Sequence, residues 1–163
     1  MEKVLEEYDE LVYIPMTSSL SGSCMSAMAL AEDFEGRVQV ADNKRISLLQ
    51  KQSVLEAAAL RDKGKTAEEI KEILEEHALE HRIYLGVESH KQLRKGGRIS
   101  PATAAIGTAL QIKPVLRLWE GGIDLFAKVR GRKQMEQKMI EALRRDLETD
   151  FAGKPVSLYV AYV

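Results

Sequence analysis

Thr17-Ser18-Ser19-Leu20-Ser21-Gly22-Ser23 places five hydroxyl side chains in seven residues, between a short apolar run (Leu11 to Ile14) and a helical pattern that begins near Cys24. A strand-to-helix junction leaves unpaired N–H groups and roughly half a positive charge at the helix start. Hydroxyls there either cap the helix or join those N–H groups around a carboxylate or phosphate. Lys95-Gly96-Gly97-Arg98-Ile99-Ser100 puts an arginine at the tip of a glycine reversal, where its guanidinium can grip an anion by two parallel bonds or simply remain solvated. Lys128, Arg130, Arg132 and Lys133 crowd a second strand-to-helix junction. Helix N-termini disfavour cations, so a nearby anion would relieve this cluster; a solvated basic surface is the alternative.

Other constellations carry less. His77 and His81 are four apart on one predicted helical face, as two metal ligands would be, but no third ligand is in register and both continue an apolar stripe. They read as core-edge histidines, and no metal is expected. Ser21 as a hydrolytic nucleophile lacks the G-x-S-x-G elbow, and only His90 remains to serve as its base.

Elements that could position these residues follow from periodicity. Residues 10–16 read as a buried strand, with a helix over 23–32 carrying Cys24, Met25, Met28 and Ala31 inward. A strand at 38–41 and a long helix at 45–63, stopped by Gly64, come next. Thr66 and Glu69 form a capping box for a helix with Ile70, Ile73, Leu74, His77, Ala78 and His81 on one stripe. Beyond a strand at 83–87, Ser89 and Gln92 suggest a second capping box, and Ser100-Pro101 opens a small-residue helix. A hairpin (112–119 with 123–129) and a helix over 132–148, with Met135, Met139, Ile140, Leu143 and Leu147 inward, precede a closing strand at 156–163. The pattern predicts an α/β chain: a parallel-sheet α/β lobe (1–85) and then an α+β lobe with a mixed sheet (86–163). Both lobes read as incomplete, because the chain opens in a helix tail and stops in mid-strand.

The 163 residues carry a net charge of −1, which offers no bulk attraction for nucleic acid. The basic stretches have no interleaved aromatics for base stacking. One cysteine excludes an internal disulfide, no apolar run approaches the ~20 residues of a membrane span, and the acidic N-terminus is unlike a secretory signal. A cytoplasmic location is expected.

Four motifs together, Met16–Ser23, Leu93–Ser100, Leu110–Leu116 and Lys128–Arg130, resemble those of the DegV family of bacterial fatty-acid-binding proteins. The resemblance implies a two-lobed binding protein, not an enzyme, that holds one long-chain fatty acid between its lobes with the carboxylate at the serine-rich turn. It implies no cofactor. In some members a separate fatty acid kinase subunit phosphorylates the bound acid. The family's I-S-S-x-L-S-G-T motif maps onto Met16 to Ser23, which points to Ser18, Ser21, Gly22 and Ser23, with Ser21 foremost; Arg98 and Arg130 match the arginines of its G-G-R-I-S and K-V-R stretches. The small residues of 102–109, with Ile112, Val115, Leu116 and Leu118, could wall an acyl tunnel or serve as ordinary core. The family's opening T-D-S strand, its T-S-Q-P segment and its C-terminal part are absent. On the residues alone, a small-molecule enzyme or a binding module for another anionic, phosphorylated metabolite remain alternatives.

Overall fold

The computed structural model describes residues 1–87, 95–98, 112–120 and 122–162. Its chain divides into two compact units, Met1–His81 and Arg82–Val163, where the sequence reading placed a division after residue 85.

In the first unit, β1 (Leu11–Tyr13) pairs in parallel with β2 (Val38–Val40), Leu11 opposite Val38 and Tyr13 opposite Val40. Alternation sends successive side chains to opposite faces. Leu11, Val38 and Val40 pack with Cys24 and Ala27 of α2 (Ser23–Ala31) and with Leu5 of α1 (Glu2–Leu5). Val12 and Ile14 pack on the other side with Ala41 and with Ile70 and Leu74 of α4 (Ala67–Glu76). The expected buried strand is therefore shorter and less buried than predicted. Its faces are covered, yet Leu11 and Val12 are half-buried and Tyr13 is exposed, because in a two-stranded sheet each strand is also an edge.

Helix α3 (Ser47–Asp62) ends as predicted before Gly64, whose φ of +80° turns the Lys65 N–H back onto the Leu60 carbonyl at 3.2 Å. The Thr66–Glu69 capping box is formed in both directions. Glu10 adds a carboxylate to the same helix start, accepting from the Ala67 N–H at 2.9 Å. The predicted stripe is only partly helical, since α4 stops at Glu76 and tightens into a 3₁₀ turn at His77–Leu79.

The second unit is an antiparallel sheet in the order β3 (Ile83–Gly86), β4 (Ile112–Trp119), β5 (Gly122–Arg130), with α5 (Gly131–Glu148) packed on it. The sheet expected to be mixed is antiparallel through these described strands. A bulge between Val115 and Leu116 shifts the β4–β5 register, and Pro114, Val115 and Leu116 are all buried in succession. At Gly86 the helix comes close: a Cβ there would lie 2.9 Å from the Met135 sulfur and 3.0 Å from that of Met139.

Three packing expectations are corrected. Met25 is 61% exposed; α2 turns Cys24, Ala27, Met28 and Ala31 inward, the i, i+3, i+4, i+7 stripe that excludes position 25. On α5, Ile140 and Leu147 point to solvent, while Ala142 and Asp146 are buried beside Met135, a stripe rotated from the one predicted. Residues 155–162 form no strand, and Val160 and Tyr162 are exposed. An alternating segment becomes a strand only where a neighbour supplies its ladder, and none of the described strands pairs with it. The predicted Ser89–Gln92 capping box and the small-residue helix of 102–109 lie outside the described residues, as does the proposed base His90.

Candidate anion-binding turn and its relatives

The chain leaves β1 through buried Pro15 and Thr17 and turns tightly, with Leu20 and Ser21 both donating their N–H groups to the Thr17 carbonyl at 3.1 and 3.2 Å. Ser21 then takes the place of a helix cap: its Oγ accepts the Ser23 N–H at 3.2 Å and lies 2.9 Å from Ser23 Oγ. Gly22 is the formal N-cap of α2 and supplies no side-chain bond. Gly22 and Ser23 are exposed and Ser21 is half-buried, so this hydroxyl pair is open at the start of a nine-residue helix.

Ser18 has a different environment. Its N–H donates to Asp42 Oδ1 at 3.1 Å, and its hydroxyl lies 2.5 Å from Asp42 Oδ2. Lys44 pairs with the same Asp42 oxygen and donates to Ser18 Oγ at 3.1 Å. Burial pushes the Asp42 carboxyl up, but the hydrogen bonds from Lys44 and Ser18 outweigh it and hold the carboxyl below its ordinary value. The same carboxylate acts on Cys24: burial foremost, then the Asp42 charge, pushes that buried thiol up and so favours the thiol over the thiolate.

The 42–45 loop that carries Asp42 and Lys44 is pinned on every side. Asp42 N–H donates to Glu75 Oε1 at 2.9 Å, and Arg45 N–H donates to Oδ1 of wholly buried Asn43 at 3.3 Å. The Arg45 carbonyl accepts the Thr17 N–H at 3.2 Å, which ties this loop to the serine-rich turn. The Arg45 guanidinium reaches Ser53 at 2.9 Å and the His77 carbonyl at 2.8 Å. His77 meets Glu56 at 2.9 Å, consistent with a core-edge histidine, and no metal-ligating cluster occurs among the described residues.

The two arginines matched by motif both lie in the second unit. Arg98 is exposed and donates to the Gly96 carbonyl. Arg130 is the exposed N-cap of α5, its N–H bonded to Gln134 Oε1 at 2.9 Å. Part of the basic cluster has an intramolecular counter-charge, since Arg132 pairs with Glu136 at 2.8 Å one turn on. Within the first unit, the structure brings Ser18 onto Asp42 and Lys44, and Ser21 onto Ser23.

A family model described as "Uncharacterised protein, DegV family" matches residues 1–162. The chain belongs to the DegV family. A DegV domain-containing protein of Deinococcus radiodurans is 34% identical over 143 residues, covering 88% of this chain and 51% of the relative. Among solved structures, a DegV-family protein of Thermus thermophilus, described as fatty-acid binding, is 34% identical with a TM-score of 0.79, over 91% of this chain and 53% of that one. A DegV-family protein of Ruminococcus gnavus, refined with vaccenic acid, is 26% identical with a TM-score of 0.75, over 89% and 54%. The chain thus spans about half the length of the DegV relatives it matches. Among the described residues no helix is long and apolar enough to cross a membrane.

Asp42 and Lys44 belong to this group, although residue order marks neither as a site residue. The signal was faint: an acid and a lysine two apart after a short strand, with no way to see the serine 24 residues earlier that meets them.

Proposed function

We propose that this chain belongs to a protein that binds a long-chain fatty acid, with the carboxylate received at the serine-rich turn. Membership of the DegV family, with relatives described as fatty-acid binding, carries this reading. Ser21, Ser23 and the backbone of Gly22 are the donors assigned to the carboxylate, with Ser18 in the same motif and Arg98 and Arg130 as further anion-binding residues. The chemistry suits the ligand: one carboxylate needs a few hydroxyls, N–H groups and a cation. Burying an acyl tail gains about 0.8 kcal/mol per methylene, so the tail supplies affinity and the head group orientation.

The protein itself does no covalent chemistry in this reading. A separate fatty acid kinase subunit would phosphorylate the presented carboxylate, in the cytoplasm. Native mass spectrometry of the longest natural form of the protein, purified from bacteria, is expected to show one added fatty acid. Protein that carries none and takes up neither palmitate nor oleate refutes the proposal.

A further inference from the structure

We infer that Lys44 is a ligand-binding residue of the first unit, the cation that allows an anionic head group to approach a turn already occupied by the Asp42 carboxylate. The inference rests on the fatty-acid reading above and deepens it.

A serine hydroxyl has one hydrogen. At 2.5 Å from an ionised carboxylate that can only accept, the Ser18 hydrogen is directed to Asp42 Oδ2. Ser18 Oγ then accepts from Lys44 at 3.1 Å. Ser18 therefore has no hydrogen to offer a carboxylate, and its place in the motif is explained by the link to Asp42. The Lys44 ammonium has three N–H donors; Asp42 and Ser18 take two, and its side chain is 32% exposed, against 11% for Asp42. Among the described residues, one N–H is left for a further acceptor.

Asp42, in the ionised form, lies beside the backbone of Ser18, three residues from Ser21. A fatty-acid carboxylate arriving at Ser21 would meet this negative charge in a half-buried setting, where like charges repel more strongly than in water. Lys44 cancels the Asp42 charge and adds a donor.

The backbone agrees. Lys44 is a non-glycine residue at φ +57°, a conformation that disfavours a side chain and that glycine would adopt without strain. The surrounding bonds of Asp42, Asn43 and Arg45 hold it there. The side chain held in that conformation is the one that bonds Asp42 and Ser18.

The test uses the longest natural form of the protein and two probes of equal length, palmitate and hexadecanol, measured by displacement of a fluorescent fatty-acid analogue. Lys44→Met should lower palmitate affinity by roughly tenfold or more and leave hexadecanol within about twofold, because only the charged head group meets the unneutralised Asp42. Lys44→Arg should keep most of the palmitate affinity. Adding Asp42→Asn to Lys44→Met should recover part of the loss, since the repelling charge goes with it. Unchanged palmitate affinity in Lys44→Met, equal loss of both probes, or a double variant no better than Lys44→Met would each overturn the assignment while the fatty-acid reading stands. Wild-type protein that binds neither probe overturns that reading, and this inference with it.

Discussion

Each unit holds a network of charge around one largely covered aspartate, and the two networks stand at different places in their folds. In the first unit Ser18, Asp42 and Lys44 meet where two loops leave parallel strands, and Lys44 remains a third exposed. In the second, Tyr84 on β3 donates to Asp146 of α5 at 2.6 Å, and Arg145 closes on the other carboxylate oxygen at 2.8 Å. Around that pair, Arg82 lies 4.4 Å from the Trp119 ring centre and bonds Asp150 at 2.5 Å, while Arg145 stands over Phe126. Asp146 is 3% exposed, so its charge faces partners of the same unit. The difference is one of address. A network at strand ends can offer a donor outward, whereas a network between a sheet face and a helix holds the two together and stabilises the unit.

That contrast can be broken by substitution. The largest stability loss should come from the sheet of the second unit: Leu116→Ala, at a site with no exposed surface, is expected to cost about 2–5 kcal/mol in chemical denaturation. Tyr84→Phe should follow at roughly 1–3 kcal/mol, since it leaves the buried Asp146 short of a donor. This residue also carries a pH signature. Burial, then the bond and charge of Asp146, push the Tyr84 phenol up to about 12. A raised folded value means that its contribution is complete below the ordinary tyrosine range, near ~10, and is lost as pH rises through about 12. Thermal melts at alkaline pH should therefore fall more steeply for the wild type than for Tyr84→Phe.

Asp42→Asn tests the first unit from the acid side. Its carboxyl is held below the ordinary value of ~3.9, so the stabilisation it gives is full above that value and lost as pH falls through the lower, folded one. Melting temperatures measured downward from pH 5 should decline less in the variant; parallel curves would remove Asp42 from the network. Ser21→Ala is expected to have the smallest effect on stability, within about ±0.5 kcal/mol, because Ser21 is half-buried and its hydroxyl bonds only Ser23 among the described residues. It should still weaken binding of a fatty-acid head group. Unchanged palmitate affinity would shift the carboxylate away from Ser21, and a large stability loss would make the turn a second structural network.

Much of this was legible from residue order because it depends on neighbours along the chain. The Thr66–Glu69 capping box, the stop at Gly64 and the hairpin across Glu120 each involve groups a few residues apart, and all are present. The strand–helix alternation announced the parallel pair, and the serine-rich turn stands where the composition put it. Local order failed where an element's exposure depends on what packs against it. Ile140 and Leu147 satisfy a helical apolar stripe as well as Ala142 does, yet the sheet surface selects the stripe with the small Ala142 and with Asp146, whose charge Tyr84 answers. Residues 156–162 alternate as a strand should and yet join neither described sheet, because hydrogen bonds in a ladder belong to two segments and periodicity describes one.

By itself the sequence determined the family, the order of elements and the turn at Met16–Ser23, since periodicity, caps and motif spacing are properties of the chain as written. Only the tertiary structure decided what the hydroxyls of that turn do. Ser18 and Ser21 are indistinguishable in composition, but folding brings Asp42 and Lys44 across 24 and 26 residues to one of them and leaves the other facing Ser23. A hydroxyl's one hydrogen goes to the strongest acceptor within reach, and which acceptor is within reach is a matter of three dimensions.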